Sequence, residues 1–151
     1  MSKAVLDLNV KGFSALLCRH LTVSKDLEFC YGHQLPQYKG KCCNQHGHNA
    51  KLRVTFDDNH DRQEYPGMVL DFHLIKAYVG PIVEDLDHKE LTSFCDPETC
   101  APVFGTGRPP TAENILLYIV YRIFRTPIGT ALVKAALWES NSSFTEWARP
   151  E

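Results

Sequence analysis

The residues best equipped for chemistry fall in ten positions, "GKCCNQHGHN", from Gly40 to Asn49, where two adjacent cysteines precede two histidines one residue apart. Side chains at i and i+2 of a strand share a face, so His46 and His48 can reach one ion. A catalytic zinc takes a third neutral ligand and keeps its fourth position open. His33, closing the extended stretch "VSKDLEFCYGH", is the best donor if the two stretches pair as a hairpin. Imidazole donors favour zinc, which needs no redox partner. A closed structural site made of Cys42, Cys43, His46 and His48 competes with this reading. Against it, adjacent cysteines rarely point at one ion without strain. The C-x4-C spacing of Cys95 and Cys100 also matches no common zinc knuckle.

A thiol just ahead of a metal ligand lies near a cation, which favours thiolate over a free thiol of pKa about 8.5. Such a thiolate can take a proton from carbon or attack it. Cys42 and Cys43 both qualify by position. Further on, "LDHKEL" sets Asp87 beside His88, a pairing that can hold one imidazole tautomer. Glu139, in "LWES", ends an apolar strand, and an amidine-like ring edge would satisfy both of its oxygens. His20, His60 and His73 read as surface or unassigned histidines.

These side chains need a scaffold. "HNAKLRVTF" alternates, with Leu52, Val54 and Phe56 on one side and Lys51, Arg53 and Thr55 on the other, the pattern of a half-buried strand. From Val23 to His33 the chain also reads as extended. Phe72, Ile75, Val79, Ile82, Val83 and Leu86 recur at helical spacing behind Asp71 as N-cap. Gly80-Pro81 inside that run predicts a kink or a break into two pieces. Residues 92–110 read as a long loop, of the kind that often carries function. Thr111 caps a second helix, "AENILLYIVYRIF", and "ALVKAALWES" and "FTEWA" close the chain as strands around an "NSS" turn. The order β-β-α-α-β-β describes an α+β domain: a four-stranded antiparallel sheet with two helices on one face. Its open edges suggest pairing with neighbouring subunits. Within the first residues, "AVLDLNV" suits a strand and "FSALLCRHL" a helical turn.

At 151 residues the chain has the length of one domain, and 44% hydrophobic with 23% charged residues suits a soluble globular core. A net charge of −2 offers no electrostatic reason for a nucleic-acid or acidic-membrane partner. No apolar run approaches the ~20 residues of a membrane span. "MSKAVLDLNVKG" lacks a secretory signal pattern, so a cytoplasmic setting with reduced thiols is expected for the six cysteines.

Taken together, "FCYGHQL", "GKCCNQHGHN", "GMVLDFHLIK", "LDHKEL", "PPTAENI" and "LWES" resemble the 6-pyruvoyltetrahydropterin synthase / 6-carboxytetrahydropterin synthase family. The motifs run in that family's order from about Val23 to Trp147. The resemblance implies the tunnelling fold (T-fold) over residues 23–151, with 1–22 as an N-terminal extension. It also implies zinc held by His33, His46 and His48, and it selects Cys42 as the catalytic thiol. Asp87, His88 and Glu139 would form the rest of a proton relay. Glu139 would also grip the pterin edge, with Thr111, Ala112 and Glu113 beside it. The implied substrate is 7,8-dihydroneopterin triphosphate, bound between subunits of a homo-hexamer of two stacked trimers. The C-x3-H-G-H spacing is similar to the bacterial enzymes that make 6-carboxy-5,6,7,8-tetrahydropterin for queuosine and other deazapurines. Pyruvoyl chemistry on the same substrate, or a non-catalytic pterin- or partner-binding module with a structural zinc, are the alternatives.

Overall fold

Leu52, Val54 and Phe56 are fully buried while their neighbours Lys51, Arg53 and Thr55 are not, so the alternation in "HNAKLRVTF" becomes a two-faced strand at the heart of the sheet. In the computed structural model, which describes residues 21–57, 65, 67–105 and 107–150, that strand is β2 (His46–Asp57). It pairs antiparallel with β1 (Thr22–His33) on one side and β4 (Leu132–Ser140) on the other, and β5 (Ser143–Ala148) continues from β4. A fifth, two-residue strand, β3 (Lys89–Glu90), lies parallel to β1 at Tyr31 and Gly32. The order is β3-β1-β2-β4-β5. The four long strands are antiparallel as expected. The short parallel edge carries too little periodicity to be seen in sequence.

Two helices cover one face. Helix α1 (Phe72–Glu84) begins at Asp71, whose carboxylate accepts the His73 amide at 2.7 Å. Helix α2 (Ala112–Phe124) begins at Thr111, whose hydroxyl accepts the Asn114 amide at 3.4 Å. Ile75, Val79, Ile115, Ile119 and Ile123 from the helices meet Leu52, Val54, Phe56, Leu132 and Leu137 from the sheet, all completely enclosed. Each such side chain contributes roughly 1.5–3 kcal/mol against exposure. Phe72 departs from the expected apolar stripe: at the first helical position it is exposed.

Of the kink or break expected at Pro81, the break does not occur. The helix runs through it, and Asp85 donates to the Pro81 carbonyl at 3.0 Å. The lost hydrogen bond falls on the outer side, where both Ala77 and Pro81 are exposed and the carbonyl that a Pro81 amide would have served can turn to water. The expected strand and helical turn within residues 1–20 lie outside the described residues, as does His60.

Residues 92–105 are more ordered than their composition suggests. Asp96 is buried and accepts from the Glu98 and Thr99 amides at 2.9 Å each and from the Tyr118 hydroxyl at 3.1 Å. Arg122, also buried, donates to Tyr118 at 2.7 Å and to Asp85 at 3.2 Å. The network ties the loop to both helices.

Candidate active site

The β1–β2 register sets His33 directly across from His46, and Tyr31 across from His48. All four project from the helix-covered face, where Tyr31 still belongs to the buried hydrophobic cluster. His33 is 3% exposed, while His46 and His48 are half-buried. The Nε2 of His33 lies 3.0 Å from that of His46 and 3.1 Å from that of His48. Each opposite ring nitrogen meets a backbone carbonyl: His33 Nδ1 reaches Pro110 O at 2.6 Å, His46 Nδ1 reaches Asn44 O at 2.9 Å, and His48 Nδ1 reaches Glu139 O at 3.2 Å.

Carbonyls only accept, so each neutral ring carries its proton on Nδ1 and aims an Nε2 lone pair at one common point. Three lone pairs at that separation repel one another, and a cation at their focus removes the conflict. Burial also pushes the His33 pKa below the ordinary imidazole range, which keeps the ring neutral as a ligand must be. The three rings could therefore hold a metal ion. Among the described residues, neither Cys42 nor Cys43 joins this group of mutually close donor atoms, so the closed Cys2His2 alternative is not assembled.

Glu139 meets the site from β4. Tyr31 donates its hydroxyl to Glu139 Oε1 at 2.5 Å, and the same oxygen lies 3.9 Å from His48 Nε2. Burial and the adjacent carboxylate push the Tyr31 hydroxyl well above the usual phenol range, so it stays a donor. Tyr31 was missed in the sequence reading. Its position two residues before His33, on the same strand face, was the available signal.

Cys42 occupies a 3-10 turn, Lys41–Cys43, ahead of β2. Its carbonyl accepts the Leu35 amide at 2.8 Å, which fastens the turn to the chain just beyond His33. Cys42 is half-buried and Cys43 exposed. Thr111 lines a cleft with Leu35, Tyr38, Pro109 and Pro110, so the α2 N-terminus adjoins the histidines through the carbonyl that holds His33. Ala112 and Glu113 form the first turn there, with Glu113 exposed.

Asp87 and His88 stand elsewhere. His88 Nδ1 lies 2.8 Å from Asp87 Oδ2, while Asp87 Oδ1 accepts the Cys30 amide at 2.8 Å. That amide, then the imidazole, holds the Asp87 carboxyl below the usual range. Both residues line a groove with Cys30, Asn49 and Lys51, which project from β1 and β2 on the face turned away from the helices. Within one chain, the pair and the three histidines are not brought together.

A sheet with two helices on one face and three histidines converging from a strand pair is a T-fold with a metal-competent centre. The sequence model described as "6-pyruvoyl tetrahydropterin synthase" matches residues 22–150, and the chain belongs to that family. It is 33% identical over 104 residues to the 6-carboxy-5,6,7,8-tetrahydropterin synthase of Synechocystis sp., covering 67% of this chain and 73% of that protein. It is also 33% identical over 97 residues to the dihydroneopterin monophosphate aldolase of Pyrococcus furiosus, covering 64% and 71% respectively. The solved 6-pyruvoyl tetrahydropterin synthase of Caenorhabditis elegans superimposes with a TM-score of 0.69 at 20% identity, covering 86% of this chain and 96% of that one; this likeness speaks to the fold. Among the described residues, no helix is long and apolar enough to cross a membrane.

Proposed function

We propose that the protein is a zinc-dependent lyase that converts 7,8-dihydroneopterin triphosphate and water to 6-carboxy-5,6,7,8-tetrahydropterin, acetaldehyde and triphosphate. The observation that carries the proposal is the focus of three Nε2 lone pairs, each fixed by an Nδ1 bond to a carbonyl. Family membership and the similarity to 6-carboxytetrahydropterin synthases support the substrate class. His33, His46 and His48 would hold the zinc, which when bound supplies Lewis-acid polarisation of a substrate oxygen.

The chain's own groups supply the remainder. Cys42, as thiolate, moves protons at the substrate side-chain carbons from a turn anchored beside the histidines. Glu139 receives the pterin edge, its Oε1 already oriented by the Tyr31 hydroxyl. Thr111, Ala112 and Glu113 frame the ring at the α2 N-terminus. Asp87 and His88 act on the opposite side of the substrate. Because they lie across the sheet from the histidines of their own chain, they serve a neighbouring subunit's site, in keeping with a homo-hexamer of two trimers. The cellular setting of this reading is cytoplasmic queuosine or related deazapurine synthesis.

Incubating the zinc-loaded protein with 7,8-dihydroneopterin triphosphate and following triphosphate and pterin by mass spectrometry tests the reading. Triphosphate release with the 6-carboxy product is expected. No release from protein shown to hold zinc would sink it, and a 6-pyruvoyl product would replace the reaction while keeping the site. The Pyrococcus relative gives a specific reason to include the monophosphate ester as a competing substrate.

A further inference from the structure

On the open face of the sheet, Cys30, Asp87 and His88 place a sulfur, a carboxylate oxygen and an imidazole nitrogen within 4.8 Å of one another. Residues 57 apart in sequence are fixed together by two backbone contacts. Cys30 donates its amide to Asp87 Oδ1 at 2.8 Å, and the Cys30 carbonyl accepts the His88 amide at 2.6 Å. His88 adopts φ of 56°, a left-handed conformation that histidine tolerates better than most side chains, and its imidazole remains bonded to Asp87. Directly across the strand pair from Cys30, Asn49 presents Oδ1 to the thiol at 3.2 Å. The cluster opens on a groove of about 630 Å³, so an ion and its water can enter.

Sulfur, nitrogen and carboxylate oxygen together suit zinc-class ions, whereas magnesium and calcium prefer oxygen shells. We infer that Cys30, Asp87 and His88 form a second divalent-cation site, separate from the three histidines of their own chain, with the Asn49 oxygen beside it. The same two strands then carry an ion site on each face. Binding sends the thiol proton to solvent and replaces the Asp87–His88 hydrogen bond with bonds to the ion. Resting on the proposed function, filling this site withdraws Asp87 and His88 from proton transfer, so excess zinc inhibits.

Cobalt(II) is the probe. Titration of the metal-free full chain is expected to show two equivalents, the second bringing near-ultraviolet thiolate-to-cobalt absorption. Cys30→Ser should erase that absorption and weaken the second equivalent beyond the ~100-fold known for losing an outer-shell partner. Cys42→Ser should leave the band in place, and His46→Ala should remove only the first equivalent. His88→Ala, altering an exposed ring, should also weaken the second equivalent if Cys30→Ser perturbs folding. A single equivalent, or a thiolate band indifferent to Cys30→Ser, overturns the site. With one zinc bound, Cys30→Ser should turn over like the parent, and with two equivalents added only the parent should slow. Two bound ions with undiminished turnover overturn the inhibitory role. Absence of any turnover refutes the lyase reading, while the cobalt titration still decides the site.

Discussion

The two faces of the β1–β2 pair carry two constellations of similar chemistry and opposite construction. On the helix side, three imidazoles are held by strand register and by three separate backbone carbonyls, with His33 at 3% exposure. On the open side, Cys30, Asp87 and His88 rely on a sharp turn beside a two-residue strand, and the His88 side chain is 78% exposed. The first is preorganised, since strand register and three carbonyl bonds fix its donors and His33 is shut off from water. The second is adjustable, and an incoming ion or substrate must order it. Buried support, rather than ligand identity, separates them.

Five substitutions at four positions test that contrast, in descending order of expected effect. Cys42→Ala should lower turnover by about 10²–10⁴-fold, the usual range for a lost proton-transfer group, without loss of metal at the histidines. Steady-state rates with metal analysis check this, and an unchanged rate removes Cys42 from its role. His33→Ala should cost the first metal equivalent more than the ~100-fold typical of an outer-shell loss, and competition with a chromophoric chelator reads it. Retention of tight binding would mean that the buried ring is not a ligand.

Asp96→Ala removes the acceptor at the centre of the Tyr118–Arg122 network and should cost about 2–4 kcal/mol in urea unfolding. Burial raises the Asp96 pKa, but the Thr99 and Glu98 amides and the Tyr118 hydroxyl outweigh it and hold the carboxyl below its usual value. A depressed folded pKa means stability that is present above the unfolded value of about 3.9 and lost as pH falls through the folded one. The stability gap between the parent and Asp96→Asn should therefore be full at neutral pH and shrink in acid below about pH 4. A gap that widens on acidification would contradict the assignment. Smallest of all, His88→Ala should change stability by no more than about 0.5 kcal/mol, as fits an exposed side chain. A larger loss would show that the open face is not the adjustable partner in the comparison.

Much of the fold was legible because it rests on local periodicity. The alternation from Leu52 to Phe56, the Asp71 and Thr111 caps and the second helix behind Thr111 all appear as read. His33 was also legible, since a hairpin returning at His46 has few registers. The Tyr31–Glu139 contact spans 108 positions, and nothing local announces it. The Asp87–Cys30 contact depends on β3, too short to have a period. Residues 92–110 read as loop because Asp96, Tyr118 and Arg122 act through tertiary pairing, which composition does not record. The break expected at Pro81 is absent for a simpler reason: propensity counts the missing amide, but it does not know that the affected turn faces water.

The Pro110 carbonyl that receives His33 belongs to a Pro109–Pro110 pair immediately before the cap of α2. Two locked φ angles make this junction stiff. The imidazole and the helix entrance are therefore coupled, and the effect that ordering either has on the other is reciprocal. A metal-loaded chain should resist proteolysis in the stretch ahead of that junction, around Gly105 and Gly107, more than a metal-free chain does, so loop cleavage becomes a gauge of a site that the protease never touches.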